Sequence, residues 1–366
     1  MKNKRIICCI LSFALIFCGC YQYKKQYSFE DAEYILFDNK HYYLCGTNEL
    51  HQSIEIYDKI KREPDVNNVG YIYEFSFDCS DMTYLKTQTN KKRDTYLQTF
   101  FKDGKEGETI NLKRNFYTAC VYENNLYAIS SFVDEKPYLI LEIFDTNLSI
   151  NLSKKFEYDA AIIFPSGITV SENIIYLFCT VLDKDSSYGD VTNYLFEFDM
   201  EFNLKKSTKL KLYNSSYQHA YKIGDLIYLA KTTEGLDENK YAIGSNNIDV
   251  YNLKTKELIS NVISLEYAYP KYIRYDEENN NIIFMHDRYS LGKNVYSIYN
   301  LETKTVESLE FDNKYGDNSV YFAYSEDNYY FQTPEILAVY DLTNNSLVEY
   351  NLTELGLELL PGIVVI

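Results

Sequence analysis

A polar turn followed by a short aromatic and aliphatic run recurs five times along this chain. The copies are "ENNLYAI" (123–129), "SENIIYLF" (171–178), "GDLIYLA" (224–230), "NNNIIFM" (279–285) and "EDNYYFQ" (326–332). With Tyr127, Tyr176, Tyr228, Ile283 and Tyr330 as markers, the copies are 49, 52, 55 and 47 residues apart. A second run follows each copy and usually ends in Asp or Asn, as in "LILEIFD" (139–145), "YLFEFD" (194–199), "NIDVYN" (247–252), "VYSIYN" (295–300) and "ILAVYD" (336–341). A further short turn and strand-like piece close each unit. One unit therefore holds about four short strands, which cannot bury both faces alone, and stacking the copies around an axis gives each face a neighbour.

The period and the scarcity of helical patterning predict an all-β chain folded as a β-propeller; residues 353–360 are the one short helical candidate. Five units fill residues 114–352. Upstream, "DNKHYYLCG" (38–46) with "SIEIYD" (53–58) fits the turn-and-run pattern as one more unit, and "YIYEFSFD" (71–78) through "ETINL" (108–112) as a less regular second. Seven blades are expected, with six as the alternative if the upstream stretch forms one large blade. The terminal "PGIVVI" is available to close the ring, with no partner specified by the sequence. The 39 Tyr and 21 Phe, with no Trp, suit pleated surfaces where a ring packs while a hydroxyl reaches a polar group.

The connections are unequal. Turns between first and second strands, and between third and fourth, are tight, whereas those between second and third strands are long: "VLDKDSSYGDVT" (181–192), "KTTEGLDENKYAIGSN" (231–246) and "HDRYSLGKN" (286–294). In propeller topology these loops share a face with the blade-to-blade connections, and variable loops over a rigid scaffold are where binding residues concentrate. Candidate ligand-binding residues there are Asp183, Asp185 and Asp190, and His286, Asp287, Arg288 and Tyr289. The three aspartates alternate as calcium ligands do, yet lack the full loop spacing and its closing Glu, so a solvated acidic turn is the simpler interpretation. The "HDRY" group combines acid–base and anion-holding chemistry, with a surface turn as its structural counterpart. His219, in "SSYQHAY", falls on an innermost strand and is a candidate to line the central channel.

No nucleophile elbow, zinc-protease helix, phosphate-binding loop or dinucleotide fingerprint occurs, and no cofactor or metal is expected. Cys45, Cys79, Cys120 and Cys179 match no zinc spacing and form no CxxC pair. Cys45, Cys120 and Cys179 sit in apolar runs and read as small core residues, with a disulfide as the alternative.

At the front, Lys2, Lys4 and Arg5 precede an apolar run over residues 6–17, of signal-peptide length and too short to span a bilayer. Gly19 and Cys20 then resemble the end of a bacterial lipoprotein lipobox, with Phe17 and Cys18 departing from its usual residues. The resemblance covers the first twenty residues and implies a signal peptide over 1–19, lipidation of Cys20, a short tether over 20–30 and a single propeller domain over 31–366. Two acyl chains suffice for stable anchoring. Ordinary secretion and an uncleaved anchor are the competing outcomes.

The formal charge is −17, and −20 without Lys2, Lys4 and Arg5. That balance argues against nucleic acid or anionic lipid as partner. The expectation is a binding module of the bacterial cell envelope, held at the membrane by lipid and engaging a protein, peptide or glycan through its loop face. The alternative is an extracytoplasmic carbohydrate or lactone hydrolase or lyase at the channel mouth.

Overall fold

A computed structural model of the chain describes residues 27, 31–38, 41–47, 53–61, 72–78, 82–89, 95–101, 106–184, 191–213, 215–311, 321–333, 335–357 and 362–365. The expected signal peptide, Cys20 and most of the expected tether lie outside the described residues, as do Cys79, Asp185 and Asp190.

Seven antiparallel sheets form the seven blades of a propeller. Blade 1 contains β1 (Tyr34–Phe37), β2 (His41–Thr47) and β3 (Ile54–Lys61). Blade 2 is β4 (Ile72–Asp78), β5 (Met82–Thr89), β6 (Thr95–Phe101) and β7 (Glu106–Asn111). Blade 3 is β8 (Thr118–Tyr122), β9 (Asn125–Val133), β10 (Pro137–Phe144) and β11 (Ile150–Glu157), and blade 4 is β12 (Ile162–Ser171), β13 (Ile174–Leu182), β14 (Val191–Phe198) and β15 (Leu204–Tyr213). Blade 5 has five strands: β16 (Ser215–Ile223), β17 (Leu226–Leu236), the short β18 (Ala242–Gly244), β19 (Asn247–Asn252) and β20 (Glu257–Ser264). Blade 6 is β21 (Pro270–Asp276), β22 (Asn281–His286), β23 (Asn294–Asn300) and β24 (Val306–Phe311). Blade 7 is β25 (Tyr321–Tyr324), β26 (Asn328–Gln332), β27 (Ile336–Asp341) and β28 (Ser346–Asn351).

The last strand, β29 (Gly362–Val365), pairs with β1, setting Leu36 opposite Ile363 and Tyr34 opposite Val365. It packs beside β25 and β4, the innermost strands of the two flanking blades, so blade 1 takes its own innermost strand from the C-terminal end. This fixes the partner of "PGIVVI" and corrects the frame of the first unit. "HYYLCG" matches the second-strand pattern by sequence, yet β2 is the third strand, β1 the second and β3 the exposed outer one. The unit is split between the two chain ends, so no contiguous stretch displays its order. The six-blade alternative fails because β4 to β7 form a sheet of their own.

The punctuation of the repeat has a specific cause. At the first tight turn of blades 3 and 4, Glu123–Asn124 and Glu172–Asn173 take left-handed φ values of 49° and 61°, and 51° and 59°. Paired left-handed residues give the hairpin geometry whose twist matches the flanking strands. In blades 3 to 7 the Asp or Asn that ends the third strand turns its side chain back onto the next loop. Asp145 Oδ1 accepts from Asn147 N and Ser149 N, and Asp199 Oδ1 from Glu201 N and Asn203 N. Asn252, Asn300 and Asp341 do the same for the backbone two and three residues on. Such side-chain closure mimics a backbone turn.

Apolar clusters fill the blade interfaces in turn, for example Ile129, Leu141, Ile168, Leu177 and Phe196 between blades 3 and 4, and Tyr34, Leu36, Tyr330, Leu337 and Ile363 between blades 7 and 1. Tyrosine suits these seams because its hydroxyl crosses to a neighbour. Tyr42 donates to Gln98 Oε1 at 2.7 Å, Tyr84 to the Asn124 carbonyl at 2.7 Å and Tyr329 to Asp276 Oδ2 at 2.8 Å. Each bond contributes about 1 kcal/mol net while the ring supplies the larger burial term. At Gly167 the seam is tighter: a Cβ there would lie 2.2 Å from Ala220 Cβ, so only glycine lets β12 approach β16. Residues 353–355 form a single 3-10 turn in place of the expected short helix.

Cys45 and Cys179 are buried, Cys120 is half-buried, and all three carry free thiols. Burial pushes the Cys45 and Cys120 thiols up to about 12, consistent with small, unreactive packing residues.

Candidate functional site

The second-to-third-strand connections lie on the face that carries the blade-to-blade connections. In blade 5 the long connection is an ordered β-extension. Strand β17 runs on to pair with β18, Thr233 opposite Gly244 and Leu236 opposite Ala242. Asp237 closes the tip by accepting from Asn239 N at 2.9 Å and Tyr241 N at 2.8 Å. Tyr241, 72% exposed, and Ile243 project from this tip.

In blade 6 the corresponding connection is a short helix, α1 (Arg288–Leu291), capped by Asp287, whose Oδ2 accepts from Ser290 N at 3.1 Å and Ser290 Oγ at 2.7 Å. Asp287 also pairs with Lys271 Nζ at 2.9 Å. Burial alone would raise the Asp287 carboxyl, but the bonds from Lys271 and Ser290 hold it below the ordinary carboxylate range. Tyr289 is 78% exposed on this helix. Tyr269 joins the two structures: its N–H donates to the Ser245 carbonyl and its carbonyl accepts from Asp287 N, both at 2.8 Å. The absent side chain of Gly244 makes room for the Tyr269 ring, against which a Cβ would lie 2.3 Å away.

The "HDRY" residues therefore separate. His286 is buried, donating from Nδ1 to the Ala268 carbonyl at 2.7 Å and accepting at Nε2 from Ser297 Oγ at 2.9 Å. Burial lowers it to about 4, so it is neutral above that pH and faces the sheet interior. Asp287 is spent on the helix cap and the Lys271 pair. Arg288 stands beside the Tyr289 ring, 5.6 Å from its centroid, on the surface. Of the three aspartates in the blade 4 loop, Asp183 alone lies within the described residues, beside Lys184, which pairs with Asp159. Among the described residues no group of three His, Cys, Asp or Glu could hold a metal ion.

The innermost strands enclose a central channel, and among the described residues two cavities along it, of 290 and 120 Å³, share His219, Arg274, Phe77 and Ala119 in their walls. The larger lies toward the tight-turn face, walled also by Lys222, Tyr122, Tyr221 and Tyr324. The smaller lies toward the long-loop face and includes Lys86 and Tyr272. His219 thus lines the channel, half-buried, with Nδ1 accepting from the Ile273 backbone N–H at 3.3 Å. Burial and the Arg274 charge lower it to about 3. Lys86 donates to the Phe116 carbonyl at 2.7 Å and is lowered by burial to about 7. Arg274 and Lys222 were not singled out by sequence. The signal that finds Arg274 is its place on the innermost strand, opposite the marker Ile283, where blade 5 sets Tyr221 opposite Tyr228.

No protein-family model matches the chain, and no curated protein sequence matches it. Among solved structures, the chain is similar to a functionally unknown protein from Desulfotomaculum acetoxidans, with 11% identity, a TM-score of 0.54, and coverage of 91% of this chain and 98% of that one. Apo AztD from Citrobacter koseri superposes with a TM-score of 0.43 at 10% identity over 89% of this chain and 83% of its own, and BamB from Moraxella catarrhalis with 0.39 at 8% over 76% and 84%. The Desulfotomaculum likeness is one of fold.

Proposed function

We propose that the protein is a membrane-anchored extracytoplasmic lipoprotein of the bacterial envelope whose propeller binds a protein, peptide or glycan through its long-loop face. The observation that carries this reading is the linked platform of blades 5 and 6. An Asp-closed β-extension and an Asp-capped helix are joined through Tyr269 and present Tyr241, Ile243 and Tyr289 to solvent. Ordered loops that expose aromatic side chains provide binding area with little left to immobilise. Tyr117, Val133 and Ile162 add exposed apolar groups on the same face in blades 3 and 4.

The entry of the chain supports the orientation. Glu33 N donates to the Cys45 carbonyl, and the Glu33 carboxylate accepts from Thr47 N, at the tight-turn end of blade 1. Tyr27 stacks on Tyr57 of β3 with ring centroids 5.2 Å apart. An anchor at Cys20, reaching Tyr27 across about 23 Å of extended chain at most, turns the tight-turn face toward the bilayer and the loop face away from it. The hydrolase alternative asks for carboxylates or histidines converging from several blades. The described channel walls instead gather cations and phenols around one neutral histidine, which favours binding.

The test has two parts. Mass spectrometry of envelope-purified protein should find a diacylglyceryl group on Cys20, and Cys20→Ala should release the chain from membranes. Cross-linked partners captured by the full chain should be lost with the Tyr241→Ser/Tyr289→Ser pair. An unmodified N-terminus elsewhere refutes the anchor, and partners retained by the double variant refute the loop face.

A further inference from the structure

The chain has 53 acidic and 36 basic residues, yet the described walls of its central channel contain no carboxylate. They contain Arg274, Lys222 and Lys86. A channel lined at random from this composition would be acidic. On the axis, low-dielectric walls focus the field of whatever charges stand there.

The three cations differ in what they already hold. Lys86 is buried and gives its ammonium to the Phe116 carbonyl, with the Phe116 ring centroid 4.4 Å away. Arg274 and Lys222 have no carboxylate partner among the described residues, and both face the larger cavity. His219 stands with them. Because the Ile273 N–H donates to its Nδ1, the neutral ring carries its proton on Nε2 and can donate from there. Tyr324 at the same cavity donates to the Tyr275 carbonyl at 2.7 Å, which fixes its ring as wall. The group is thus rich in donors and poor in acceptors. A guanidinium is the side chain best matched to a carboxylate or phosphate, through two parallel N–H bonds. At 290 Å³ the cavity is at the small end of ligand sites, about 300–1,000 Å³.

We propose that the larger channel cavity is an anion site for a small carboxylate- or phosphate-bearing molecule, held by Arg274 with Lys222 and the Nε2–H of His219. This site is separate from the loop face. It opens toward the tight-turn side and uses none of the blade 5 and 6 platform. The ligand's anionic group sits where β16 meets β21, so it bridges two blades.

The histidines offer a local reporter. The chain has four, His41, His51, His219 and His286. The full chain, with ¹³C-labelled histidine, is titrated at constant ionic strength with inorganic phosphate in one arm, succinate in a second and glycerol as the neutral control. The His219 ring signal, assigned with His219→Asn, should move saturably with phosphate or succinate and stay still with glycerol; which arm responds identifies the anionic group. Arg274→Gln should weaken half-saturation at least tenfold and Lys222→Gln several-fold, with unchanged unfolding midpoints. If Arg274→Gln fails to fold, Arg274→Lys keeps the charge without the fork and should still weaken binding. No saturable movement of His219 in either anion arm overturns the proposal, as does an equal response in the Arg274 variants or a linear drift of all four histidines. Tyr241→Ser/Tyr289→Ser should leave the titration unchanged, so the two sites fail or survive separately.

Discussion

Removing the positive charge buried in blade 5 should cost far more than its single ion pair would on a surface. Lys231 is 4% exposed and Asp249 0%. Lys231 Nζ lies 3.3 Å from Asp249 Oδ1 and donates to Asn261 Oδ1 at 2.6 Å. Asp249 also accepts from Tyr217 OH at 2.6 Å and Asn261 N at 2.8 Å. Lys231→Met leaves the carboxylate its two hydrogen bonds but no countercharge, and an uncompensated buried charge costs about 3–5 kcal/mol. Asp249→Asn strands the ammonium instead and should cost a similar amount. In the double variant both charges are gone while the hydrogen-bonding frame of the amide remains. Its loss should be smaller than the sum of the singles by about 1–3 kcal/mol. Denaturant unfolding followed by circular dichroism, with the four proteins compared at equal slope, measures the cycle. Single losses below about 1 kcal/mol, or additivity within about 0.5 kcal/mol, would refute the claim that this pair is desolvated and coupled.

Two further outcomes follow from the geometry. Ile363 is 7% exposed in the seam between blades 7 and 1. Ile363→Ala should cost about 2–5 kcal/mol and Ile363→Asp more, whereas Leu347→Asp on the outer strand β28, where Leu347 is 42% exposed, should shift the unfolding midpoint little; equal effects would contradict closure by β29. His286, lowered to about 4 from an ordinary value near 6.5, binds its proton more weakly folded than unfolded. Its contribution is complete above about pH 6.5 and declines as pH falls toward 4, by about 3 kcal/mol in all. His286→Gln should flatten the stability profile across that window, and an unchanged slope would contradict the buried neutral ring.

Much of this architecture is legible because the turns are chemically marked. Asp145, Asp199, Asn252, Asn300 and Asp341 end their strands for one shared reason, so the period is visible even where the strands differ. Blade 1 evades the same logic because its innermost strand arrives from the other end of the chain, and a pattern search along the sequence meets its second strand first. The "HDRY" group misleads differently. Contiguous polar residues look like a constellation, but β22 ends within it. The strand's alternation sends His286 into the core, and Asp287 begins a helix cap. The platform of blades 5 and 6 depends on Tyr269, which lies in neither long loop and makes its contacts through backbone groups that no side-chain pattern reports.

The channel chemistry is legible only when the units are superposed. On the innermost strands Thr118, Gly167, His219 and Tyr321 each pair two residues past their marker, whereas Arg274 pairs with its marker Ile283 because the turn of blade 6 is longer. His219 and Arg274, 55 residues apart in sequence, stand at successive levels of the ring on adjoining innermost strands and line both cavities together. Gly167 belongs to the level of His219, where its missing side chain lets β12 close against Ala220 on β16. Any single unit offers only its own inner-strand residue, which looks like an isolated charge or a lone histidine. The site arises from what neighbouring blades contribute together, and an anion held there would add a cross-blade contact to the apolar seam between blades 5 and 6. Its binding should therefore raise the unfolding midpoint as well as move His219, because a ligand that binds only the closed ring stabilises that ring.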